Sequence, residues 1–273
     1  MHEDIDVSPE FKVLSPETLA QLPKVVLWHP VTVENAAAEL RRLADDAVVY
    51  AELRLATTSE DELHQVLHLL DSAPLTARVV LSATSPKDVP EAIELAAQHR
   101  GAVVGFAFEG EARPTTETAV ALKQNFLPFA ASDVRDAVTF GADRITGALD
   151  LYEDFSVDVE GIAAGPLSAY VRDREVALEM SLSADDLDDI GDHPLPLLQQ
   201  LGFTCTFNPR QASVNEEFGL LVDGFDYGLE ELFDFTVNAI EAAFAPIELR
   251  RAIMQEQIAP VFQKFADQEL LAD

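Results

Sequence analysis

Phe203-Thr204-Cys205-Thr206-Phe207 runs straight into Asn208-Pro209-Arg210-Gln211, and this junction decides how the chain is read. Aromatic and β-branched residues make the first five positions a buried strand. The polar residues that follow, broken by a proline, make a loop of the kind that carries catalytic groups at the end of a rigid strand. Upstream, His193-Pro194-Leu195 opens a helix, and downstream the unit continues to Phe218-Gly219. The loop after Asn208 holds no acid where a metal enzyme would want one.

The same unit recurs towards the N-terminus. Strand-like runs stand at residues 25–28, 48–55, 77–81, 102–108, 126–130, 144–146 and 176–180, which with 203–207 makes eight. Pro128 weakens the fifth, and the sixth is very short. Between them lie amphipathic helical stretches: from Thr32 or Glu34 to Leu43, from Ser59 through an acidic first turn to Leu70, from Lys87 to Arg100 with Gly101 as its stop, and from Ser132 to Phe140 with Gly141 as its stop. Two longer helices, 229–244 and 247–265, close the chain and carry most of its late aromatic residues. Eight alternations predict parallel strands joined by crossovers, an α/β fold of the (β/α)8 TIM-barrel type in one domain over residues 1–273. An open doubly wound sheet competes, but no Gly-rich turn follows any strand to cradle a phosphate. In a barrel, function gathers at the C-terminal strand ends. Those ends carry Trp28 and His29, Arg54, Ser82, Glu109 and Gly110, Ala131, Gly147, Ser181, and Asn208.

Composition narrows the partners. The 273 residues are 48% hydrophobic, enough for a large core. Eighteen basic residues against 49 acidic ones leave a net charge of −31, spread along the chain as a solvated acidic surface. Such a surface repels phosphate backbones and anionic lipids, so neither nucleic acid nor membrane is expected as a partner. Cys205 is the only cysteine and sits in an apolar strand, which fits a packed thiol in a reducing compartment. The acidic start at Met1-His2-Glu3-Asp4 lacks the pattern of a signal peptide, and the expectation is a cytoplasmic protein.

Short pieces in order resemble the adenosine deaminase family, a branch of the metal-dependent amidohydrolases. They are Leu22-Pro23-Lys24, Tyr50-Ala51-Glu52-Leu53-Arg54, Val103-Val104-Gly105-Phe106, Gly141-Ala142-Asp143-Arg144-Ile145, Leu178-Glu179, His193-Pro194-Leu195 through Asn208, and Asn238-Ala239-Ile240-Glu241. The family-like core spans about residues 22–244, shorter than in the family, with 245–273 a C-terminal helix. The resemblance implies zinc and purine nucleoside deamination, yet the residues that serve them are replaced. The family's His-x-His after the first strand is Trp28-His29-Pro30 here, out of register. Its His and Ala-Gly-Glu turn after the fifth strand give way to Ala130-Ala131-Ser132-Asp133. Its Gly-His-Gly after the sixth becomes Thr146-Gly147-Ala148, and Asn208 is followed by Pro209-Arg210 in place of the acidic metal ligand. A metal lowers the pKa of water from about 15.7 to about 7, worth roughly 12 kcal/mol of activation. The sequence expectation is therefore a degenerate member without zinc or another cofactor.

Three functions stay open. One is a non-catalytic barrel that binds a purine-like small molecule or a partner, with Trp28, His29, Arg54, Glu109, Gly110, Gly147, Asn208 and Arg210 as the candidate pocket. The second is metal-free catalysis by His29, Glu109 and Arg210; the third is an active zinc deaminase with ligands elsewhere. Arg210 is a candidate to fill the vacated metal position beside Glu109, against the plainer reading of an exposed loop arginine. His64 and His68 stand one helical turn apart, but Gln65 replaces the glutamate of a zincin and no third ligand is visible, so a surface pair is expected. The acidic run 185–192 is expected to be a solvated loop, with Asp192 capping the helix that follows. Any aromatic residues of the closing helices left uncovered would offer a homodimer surface.

Overall fold

The computed structural model describes residues 14–159, 161–182, 190–209 and 213–270. The strands are β1 (Lys24–Val31), β2 (Val48–Ala56), β3 (Thr76–Ala83), β4 (Val103–Phe108), β5 (Phe129–Ala131), β6 (Arg144–Thr146), β7 (Phe155–Asp158), β8 (Gly161–Ala164), β9 (Ala177–Met180) and β10 (Cys205–Phe207). The helices are α1 (Pro16–Leu19), α2 (Ala36–Asp45), α3 (Glu60–Leu70), α4 (Val89–Gln98), α5 (Thr116–Gln124), α6 (Val134–Phe140), α7 (Pro166–Asp173), α8 (Leu195–Gln200), α9 (Val214–Phe225), α10 (Leu229–Ala242), α11 (Ile247–Ile253) and α12 (Ala259–Leu270).

Eight strands pair in the order β1-β2-β3-β4-β5-β6-β9-β10, every pair parallel, with helices in the crossovers. This is a (β/α)8 barrel, closed except at one seam. Among the described residues no ladder joins β10 to β1. A side chain spans the gap instead: Asn208 Oδ1 accepts the backbone N–H groups of Leu27 (2.6 Å) and Trp28 (3.0 Å). Helix α10 packs on both seam strands, and Asn238 Nδ2 on it donates to the Cys205 carbonyl at 3.2 Å. The edge groups that would otherwise be orphaned at the seam are thereby partly satisfied.

Local chemistry explains the element ends. Ser59 Oγ accepts the Glu62 N–H and caps α3, while Ser213 and Glu216 form a reciprocal capping box on α9. Gly141, at φ 71°, takes the left-handed position that stops α6. The fifth strand begins at Phe129, later than the sequence pattern suggests. Phe126 adopts φ 53° with 76% of its surface exposed, stacked under Arg100, and Pro128 has no N–H to give a ladder. The antiparallel hairpin β7–β8 is an addition the pattern does not predict. The closing helices α11 and α12 are joined through a π-turn at Met254–Ile258. Helix α8 starts at Leu195 after Pro194, and Leu195 N–H donates to His193 Nδ1 at 3.1 Å; His193, not Asp192, serves that end.

Candidate functional site at the barrel mouth

Strand alternation places an unusual set of side chains on the barrel axis. On β2, Tyr50, Glu52 and Arg54 are spaced by two and share one face. On β6 the same rule aligns Arg144 with Thr146, and β9 adds Glu179. Small residues opposite them, Val80, Ala107 and Ala130, leave room for two guanidinium groups. Gly105 belongs to the same lining: a Cβ there would meet the Phe244 ring at 2.2 Å.

Arg54 lies at the centre of the mouth and is fully buried. Its Nη2 donates to both carboxylate oxygens of Glu179, at 2.8 and 2.6 Å, a charge-assisted contact made through a single nitrogen. Its Nη1 donates to Glu109 Oε1 at 3.2 Å and to Thr146 Oγ1 at 3.1 Å. Trp28 Nε1–H donates to the same Glu109 oxygen at 2.7 Å, and the Arg54 guanidinium stands 5.4 Å from the Trp28 ring centre. Thr146 Oγ1 completes the ring by donating to Glu179 Oε2 at 2.6 Å.

Deeper in the barrel the pattern repeats. Arg144 Nη2 donates to Glu52 Oε2 at 2.6 Å, and its Nε lies 2.9 Å from Glu179 Oε1. Glu52 Oε1 accepts Tyr50 OH at 3.0 Å and Phe244 N–H at 2.6 Å. Burial works against the Arg144 charge, but Glu52 and Glu179 outweigh it and hold the guanidinium above its ordinary value. Burial, and next the Glu52 charge, push the Tyr50 hydroxyl well up, so it stays a neutral donor. Glu109, with a side chain 20% exposed, is the outermost member of the chain.

Of the residues expected in the pocket, Trp28, Arg54 and Glu109 come together. Asn208 sits at the seam, where its side chain holds β10 to Trp28. Gly110 (φ 57°) turns tightly against Thr84, and Gly147 (φ 69°) opens the 3-10 turn Ala148–Asp154. His29 is a correction. It is one residue out of phase with Trp28 and faces outwards, where Nε2 pairs with Glu39 on α2 at 2.8 Å. Burial lowers its pKa and Glu39 only partly offsets this, so the ring is neutral at physiological pH. The trio of His29, Glu109 and Arg210 is therefore not assembled on the His29 side, and Arg210 lies outside the described residues, as does most of the acidic run after Ser183. Thr146, Glu179, Glu52 and Arg144 are the site residues that the pocket expectation lacks. Part of their signal was present: Glu52 stands two positions from Arg54 on β2, and Arg144 and Glu179 are single charges in short strands.

A second correction concerns the helix histidines. His68 points away, 89% exposed, near Asp71. His64 instead meets His99, which follows α4, with ring centres 5.0 Å apart and nearly perpendicular. Glu60, one turn before His64, places Oε1 3.3 Å from His99 Nε2. These three residues, without His68, form a group able to hold a metal ion, so the expected absence of any metal site is not supported.

The same (β/α)8 architecture is found in solved structures. Solved structures of an adenine deaminase from Arthrobacter aurescens (TM-score 0.72, 14% identity, 86% of this chain and 79% of that one) and of a zinc-bound amidohydrolase from Burkholderia ambifaria (0.73, 17%, 88% and 75%) superpose on it. No family model matches the chain. Curated relatives do: the adenosine deaminase of Mycobacterium tuberculosis is 31% identical, matching 87% of this chain and 77% of its own length. Adenosine deaminase 1 of Streptomyces coelicolor is 28% identical over 93% of this chain and 75% of its own length. The chain belongs to the adenosine deaminase family.

Proposed function

We propose that this barrel has lost zinc-dependent deamination of purine nucleosides and works by binding, its ligand a purine-like small molecule or a protein partner. The observation that carries the reading is Arg54. A fully buried guanidinium occupies the middle of the mouth and spends its donors on Glu109, Glu179 and Thr146. A divalent cation needs lone pairs, and here the axis receives N–H groups from Arg54 and Trp28 instead. The two carboxylates within reach are already committed, and a second cation beside Arg54 would be repelled. The described mouth residues therefore do not fit the zinc that the family uses.

A cleft of about 300 Å³ on the same rim is the candidate place for that ligand. It lies where β2 and β3 end, among Thr57, Ser59, Glu62, Ser82, Thr84 and Asp88. Ser82 Oγ is buried there without a hydrogen-bond partner, an unspent donor and acceptor suited to the edge of a heterocycle. The volume is at the lower end for small-molecule sites.

The test pairs an assay with a binding screen. With zinc supplied, adenosine and related nucleosides should release no ammonia. In a thermal-shift series one purine-like compound should stabilise the protein, by about 2.7 kcal/mol at a hundred times its Kd, and Ser82→Val should weaken that shift. Zinc-dependent ammonia release would overturn the loss of catalysis. Absence of any shift across purines and nucleosides would overturn the purine-like ligand.

A further inference from the structure

We propose that Glu60, His64 and His99 form a binding site for a divalent transition ion of the zinc class, on the outside of the barrel and apart from the mouth. Two imidazoles and a carboxylate are a donor set that suits zinc, with water in the fourth place. Helix α3 supplies two of the three from positions one turn apart, which share a face. The third arrives from the residue that ends α4.

The geometry is close to what the ion requires. All three ligand atoms lie within 4.8 Å of one another. Bonds of about 2.0–2.1 Å in a tetrahedron set donors about 3.4 Å apart. The Glu60 Oε1 to His99 Nε2 separation is already 3.3 Å. Only His64 has to close in, and its side chain is exposed and free to turn.

His99 Nε2 supplies the independent signal. It is shut off from solvent yet makes no aligned hydrogen bond, although a carboxylate oxygen stands next to it. A buried polar atom left in this way needs an explanation, and a metal bond provides one. The net charge of −31 raises the local concentration of any cation that approaches. Once bound, the ion would clip α3 to the end of α4.

The experiment uses the full chain, stripped of metal and titrated calorimetrically with Zn²⁺, in parallel with Co²⁺ followed by its visible absorption. The wild type should bind one equivalent tightly. His64→Ala and His99→Ala should each weaken binding at least roughly tenfold, since loss of a ligand costs no less than loss of an outer partner. His68→Ala, whose ring lies outside the cluster, should bind as the wild type does. The wild type should also melt higher with zinc, and His99→Ala should not. Absence of an equivalent of bound metal would overturn the proposal. So would binding that survives His64→Ala and His99→Ala, or that His68→Ala abolishes. These results are independent of ammonia release, so the outer site and the inactive mouth can fail separately.

Discussion

The mouth of the barrel and the outer seam between α3 and α4 hold opposite halves of a metal site. At the mouth, carboxylates are paired with Arg54, and His29 turns away to Glu39. On the outer face, between α3 and the end of α4, two imidazoles and a carboxylate converge. The difference teaches that carboxylates on a barrel axis can be held by guanidinium groups of the chain itself. Two guanidinium groups, Arg54 and Arg144, face three carboxylates, Glu52, Glu109 and Glu179. Such buried networks contribute little net stability over an apolar core, but breaking one is costly because it strands the partner charge.

That asymmetry sets the largest expected effect. Arg54→Met removes the donor that Glu179 and Glu109 share, and should destabilise the fold by about 3 kcal/mol in urea unfolding. A loss below about 1 kcal/mol would mean that the mouth is hydrated and not closed by this ion pair. Next comes the seam strand. Asn208→Ala leaves the Leu27 and Trp28 N–H groups without their acceptor and should cost about 2 kcal/mol, with faster amide exchange at those two positions. Unchanged exchange would show that β10 is held to β1 by α10 alone.

His29 gives a smaller, pH-dependent effect. Its folded pKa lies below the ordinary 6.5, so the unfolded chain binds the proton first as pH falls. Stability from this group is therefore fully present above 6.5 and is eroded below it. Thermal midpoints measured from pH 7.5 to 5 should fall less steeply in His29→Gln than in the wild type. Equal slopes would place the ring in water, away from Glu39. Smallest of all, His64→Ala without metal should change stability by no more than about 0.5 kcal/mol, since it is a surface side chain. A larger loss would mean that the outer cluster holds the fold without a metal, and would narrow the contrast with the mouth.

Much of this architecture was legible in the residues. Periodicity marked the eight barrel strands because a parallel strand buried on both faces reads as a short apolar run. The limits were set by local backbone chemistry, as at Phe126, where a left-handed turn and Pro128 delay the fifth strand. The helices α5, α7 and α9 stood out less: Thr115 caps α5 strongly, but its apolar stripe is thin. At the site, counting two positions at a time along β2 would have joined Glu52 to Arg54, whereas the partners Glu179 and Arg144 come from strands more than ninety positions away. No local pattern encodes such a pairing. The same reason hid the outer cluster, since His64 looked for its partner four residues along its own helix and found it at the end of the next.

The central claim is that Arg54 closes the mouth against a catalytic ion. The most direct measurement is the zinc content and ammonia release of the His64→Ala/His99→Ala double variant, in which the outer site is gone. The account predicts protein that is folded, free of stoichiometric zinc after dialysis, and silent on adenosine. One retained equivalent of zinc together with ammonia released from the nucleoside would contradict it.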